Sequence, residues 1–99
     1  MNELFKDDRA LFSISVVTEL TGVSQQALRG YEDNGLIAPH RTEGGTRRYS
    51  RDDVNKINEI AALLATGLNH EGVVQVMRLQ AETNELRREL NESQGDSKA

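Results

Sequence analysis

Arg41 to Ser50 reads RTEGGTRRYS, with Arg41 on one side of a Gly44-Gly45 pair and Arg47, Arg48 and Tyr49 on the other. Guanidinium groups stay charged at neutral pH and form forked, charge-assisted hydrogen bonds to phosphate and carboxylate oxygens. Residues 37–51 hold four arginines and one acid, a balance of +3, inside a chain whose net charge is −4. That concentration is the footprint of a surface that grips a polyanion, and equally the composition of a solvated hairpin edge. A second candidate set lies upstream, at Ser24, Gln25, Gln26 and Arg29. Glutamine bridges two atoms of adenine and arginine two atoms of guanine, so these residue types suit the reading of base edges. Catalysis finds no comparable set. No carboxylate pair or nucleophile–base set stands at usable spacing, and Gly44-Gly45 lacks the lysine and strand-to-helix context of a phosphate loop. The chain has no cysteine, and His40 and His70 stand far apart, so no metal site and no cofactor is expected.

The elements that must position these groups are legible as caps and periodicities. Val16, Val17 and Leu20 fall at helical spacing after Ser15, a possible cap, and Gly22 suits a left-handed stop. Ser24 caps a second short helix, with Ala27, Leu28 and Tyr31 on one side and Gly35 past its end. Two short helices joined by TGVS have the form of a helix-turn-helix, whose second helix enters the major groove by its N-terminal residues. That places Ser24, Gln25, Gln26 and Arg29 beside base edges. Polar-flanked runs around Gly44-Gly45 predict a β-hairpin, a wing whose arginines reach phosphates. Ser50 and Asp53 match a capping box that opens a helix with Val54, Ile57, Ile60, Ala61 and Leu64 inward, stopped at Gly67.

Asn69 is placed to cap a last helix, with Val73, Val76 and Met77 inward. Neither Gly nor Pro occurs from residue 74 to 92, so this helix either runs on or breaks without a signal. Val76, Leu79, Thr83, Leu86 and Leu90 alternate spacings of three and four, a stripe that serves either an internal core or a dimer seam. The predicted core is Val16, Leu20, Leu28, Leu36, Val54, Ile57 and Leu64. Tyr31 and Tyr49 suit half-buried core positions as well as surface contacts.

Ninety-nine residues make one small domain with a thin core. The N-terminal MNELFKDDRALFS has early acids and no apolar run, unlike a secretory signal, and no segment has the roughly 18 apolar residues of a membrane span. The expectation is a cytoplasmic, nucleoid-associated protein with no membrane contact.

The stretch from Phe12 to Ile60, with its LRxYExxGL, P.R and RRYS..DV frame, resembles the DNA-binding domain of the MerR family, and GLNHEGVVQVM continues the likeness. Within the family, ISV at the first helix, RTEGGTRRYS and GLN before the fourth helix are most similar to the heat-shock-repressor (HspR) branch. The resemblance implies a mainly α, winged helix-turn-helix fold and a sequence-specific regulator, a repressor in that branch. It implies that the protein binds an operator as a homodimer through a C-terminal helix. Arg29 and Tyr31 would contact DNA from the recognition helix, and Arg41, Arg47, Arg48 and Tyr49 from the wing. An Hsp70 chaperone is the implied co-repressor. The expected organisation is a flexible arm at 1–11, the winged domain at 12–78, a short dimerisation helix at 79–92 using Leu79, Leu86 and Leu90, and a disordered tail at 93–99. Gly30 departs from many members, and the short chain leaves no room for a sensor domain, so no small-molecule effector is expected. Two other readings share the fold. One is a chaperone modulator that binds a J-domain co-chaperone rather than DNA, and the other an excisionase-like architectural DNA binder. The first has no need of Arg29, Arg47 and Arg48.

Overall fold

The computed structural model describes residues 9–97 as four helices and one hairpin: α1 (Ile14–Thr21), α2 (Gln25–Asp33), β1 (His40–Arg41), β2 (Arg47–Arg48), α3 (Arg51–Ala65) and α4 (His70–Ser97). Helix α1 packs on α2 and α3, and α4 crosses α3. The core lies between them, built from Val17, Leu28, Leu36, Ile37, Tyr49, Val54, Ile57, Ile60 and Val73, with Leu64 and Met77 packed against it.

Local chemistry sets each boundary. Ser24 Oγ accepts from the Ala27 amide at 3.1 Å and opens α2. That helix closes in a paired bond from the Gly35 amide to Glu32 O and from the Leu36 amide to Tyr31 O, with Gly35 at φ +75°. This is the Schellman arrangement, which needs a left-handed residue after the last turn. Ser50 and Asp53 bond reciprocally through side chain and backbone, the predicted capping box of α3. Asn69 Oδ1 accepts from the Gly72 amide at 2.8 Å and opens α4.

Helix α1 departs from expectation. Ser13 rather than Ser15 caps it, through the Val16 amide. Val16 is 39% exposed and Leu20 55%, while Val17 is fully buried, so two of the expected core residues lie outside. Adjacent valines allow two helical phases. The phase adopted turns Val17 and half-buried Ile14 inward, and lets Thr21 Oγ1 bond both Val17 O and the Val23 amide.

Helix α4 is one continuous element of 28 residues, so the helix expected at 79–92 is its distal part. The helical course continues through Ser97, into the tail expected from residue 93; residues 98–99 lie outside the described residues. With no proline in the segment, nothing removes a backbone donor from the ladder. Most of the expected N-terminal arm, residues 1–8, also lies outside the described residues. Its last residue is tied down: the Leu11 and Phe12 amides both donate to Tyr49 O, at 3.0 and 2.9 Å.

Candidate nucleic-acid interface

Ser24, Gln25, Gln26 and Arg29 are all exposed at the first turns of α2. At 100° per residue, Gln25, Gln26 and Arg29 share one face, opposite the buried Leu28 and Tyr31. Among the described residues, the Arg29 guanidinium has no acidic partner.

The wing stands beside the C-terminal end of α2. Its strands pair antiparallel, His40 with Arg48 and Arg41 with Arg47. The Gly45 amide donates to Thr42 O, and the Thr42 amide to Thr46 O, both at 2.9 Å. Gly45 takes φ +84° at the end of this turn, so of the glycine pair it is the second that meets the left-handed requirement.

The three wing arginines do different things. Arg47 Nε donates to Glu32 Oε1 at 2.7 Å, and Arg41 Nη2 to Glu32 Oε2 at 2.8 Å. Arg41 Nη1 also donates to Gly45 O at 3.1 Å. Both were expected as phosphate contacts, yet here their guanidinium groups are committed to a carboxylate of α2. Arg48 has only a long contact to Arg47 O, 3.4 Å, and no acidic partner among the described residues. It is the uncommitted cation of the hairpin.

The two tyrosines are core residues. Tyr31 is 5% exposed and Tyr49 1%, so both rings pack in the core, the alternative that the sequence also allows for them. Tyr31 meets His70 edge to face, with centroids 6.1 Å apart, which joins α2 to the start of α4. Tyr49 fills the space under the wing, and its backbone forms an isolated bridge with Phe12. Burial raises the ionisation of both phenols above its usual range. The residue missed from the sequence is Glu32. An acid in a basic site signals nothing by type, and its partners lie nine and fifteen residues away.

The family model for MerR HTH family regulatory proteins matches residues 12–80. This chain belongs to the MerR family. Two members illustrate its neighbourhood. The transcriptional regulator GlnR of Bacillus anthracis is 41% identical over 83 residues, covering 81% of this chain and 64% of GlnR. A Streptomyces coelicolor protein named for the heat-shock protein HspR is 35% identical over 81 residues, covering 81% of this chain and 54% of that protein. The chain thus spans less than two thirds of the length of these relatives. Among solved MerR structures, HiNmlR, a regulator lacking the sensor domain and bound to promoter DNA, superposes with a TM-score of 0.67 at 26% identity. That match covers 86% of this chain and 67% of HiNmlR. A Listeria monocytogenes MerR regulator gives 0.66 at 33% identity, covering 85% and 67%. The mainly helical winged architecture is therefore shared across the family.

Proposed function

We propose that this MerR-family chain is a transcription regulator that binds double-stranded DNA in the cytoplasm as a homodimer. One observation carries the reading: α2 offers an exposed face of Gln25, Gln26 and Arg29 while Arg48, in the adjacent wing, has no acid to neutralise it among the described residues. A recognition helix with adjustable donors reads bases, and an unpaired cation on the wing meets phosphate. The promoter complex of HiNmlR and the regulator names of its relatives support the same reading.

The dimer rests on α4. From Arg78 to Ser93 every side chain of this helix is exposed, and Leu79, Leu86 and Leu90 are 58%, 65% and 58% exposed along it. Apolar residues spaced by three and four on a protruding helix are buried by a second helix of the same pattern. Likeness to the HspR branch supports a repressor role and an Hsp70 chaperone as co-repressor.

The test separates phosphate grip from base reading. Duplexes selected by the wild-type protein from a random pool are compared with scrambled duplexes over a salt series. Arg48→Ala should weaken both about equally and lower the slope of log affinity against log salt by about 1 for each phosphate no longer neutralised. Gln26→Ala should cost about 1–3 kcal/mol on the selected duplex and little on the scrambled one. If the wild type enriches no duplex at low salt, with or without an Hsp70 chaperone, the reading fails. Retention of a J-domain co-chaperone would then take its place.

A further inference from the structure

Glu32 sits on α2 where the exposed face meets the buried one, and it points at the wing rather than outward. Its two oxygens are divided between the strands, Oε1 with Arg47 on β2 and Oε2 with Arg41 on β1. Those two arginines are themselves cross-strand partners. Arg41 extends the linkage to the turn through Gly45 O. A single carboxylate of the recognition helix therefore holds both strands of the wing and its tip. The Glu32 side chain is 22% exposed and that of Arg47 27%, so this pair is sheltered more than a free surface pair.

Charge makes the arrangement informative. An acid beside a polyanion repels it, so Glu32 lowers the general attraction of this surface for DNA. It also occupies two of the three arginines that the hairpin could otherwise turn toward phosphate. Both losses are offset if the acid supplies geometry. From this we propose that Glu32 is a positioning residue for DNA recognition, resting on the DNA-binding reading above. It converts Arg41 and Arg47 into a brace between α2 and the wing, and so sets the distance between the phosphate met by Arg48 and the bases met by α2. Specificity is gained at the expense of general affinity.

The brace is tested in the full-length chain with Glu32→Gln, which keeps the shape and loses the charge, and Glu32→Ala, which keeps the helix. On the wild-type-selected duplex relative to the scrambled one, the affinity ratio should fall about fivefold or more. On the scrambled duplex the salt slope should steepen by about 1 for each arginine released to phosphate. A merely destabilised domain would lose affinity on both duplexes with no steeper slope, which overturns the proposal. Equal gains on both duplexes also overturn it, because they make Glu32 a repulsive charge and nothing more. A readout without DNA comes from hydrogen exchange. The Thr42 and Gly45 amides, which close the turn, should exchange faster in both variants. Unchanged exchange there removes the brace even if binding changes. Failure of the wild type to enrich any duplex would overturn the DNA-binding reading alone, and the exchange comparison would still decide the brace.

Discussion

The hydrogen bond from Arg47 holds the Glu32 carboxyl below the usual carboxylate range; partial burial opposes that shift and Arg41 reinforces it. A carboxyl whose folded pKa is depressed contributes stability that is complete above its unfolded value, about 4.3, and disappears as pH falls through the folded value. The thermal midpoint of the wild type should therefore exceed that of Glu32→Gln near neutrality, and the gap should close as pH falls below about 4. Paired melts across that range check it; a gap that stays constant would mean that the brace is not ionic. The same residue marks the limit of sequence reading at this scale. Gln25, Gln26 and Arg29 were legible because cap and periodicity fix their face. Glu32 was not, since its meaning depends on partners brought close only by the folded hairpin. Tyr31 and Tyr49 share that limit, because an amphipathic ring fits a core and a surface equally well.

Helix α2 carries two neighbouring positions with opposite expected effects. Leu28 is fully buried, so Leu28→Ala should cost about 2–5 kcal/mol through reduced burial and a residual cavity. Gly30 has open space where a Cβ would stand, so Gly30→Ala should stabilise by up to about 1 kcal/mol. Denaturant unfolding of both variants measures the pair. A Leu28→Ala cost below about half a kcal/mol would contradict the packing assigned to α2. The starts of α2, α3 and α4 are legible in the sequence, whereas Ser13 caps α1 in place of Ser15. Ser24, the Ser50–Asp53 box and Asn69 act locally, within one turn of the backbone groups they satisfy. The phase of α1 is ambiguous in the sequence for a reason of the same size. With Val16 and Val17 adjacent over eight residues, periodicity allows two faces, and only packing on α2 and α3 selects between them.

For the molecule as a whole, the proposed association rests on the distal stripe of α4. Leu86→Asp puts a charge where two such stripes would meet, and should shift the protein toward monomer while the winged domain stays folded. Sedimentation at matched concentrations decides it; equal masses for wild type and variant would remove the seam. The continuous α4 then has a thermodynamic consequence. From Arg78 to Ser93 its side chains are all exposed, and its order rests on its own ladder with local aids such as the Arg88–Glu85 pair. An isolated helical segment of this length is marginal in water, because nucleation is costly and little tertiary packing compensates. In the proposed dimer, winding of the distal helix and pairing of two chains become a single equilibrium, in which dilution uncoils what encounter winds up. Far-ultraviolet ellipticity per residue then becomes a property of how much protein is in the cuvette, not of the chain alone.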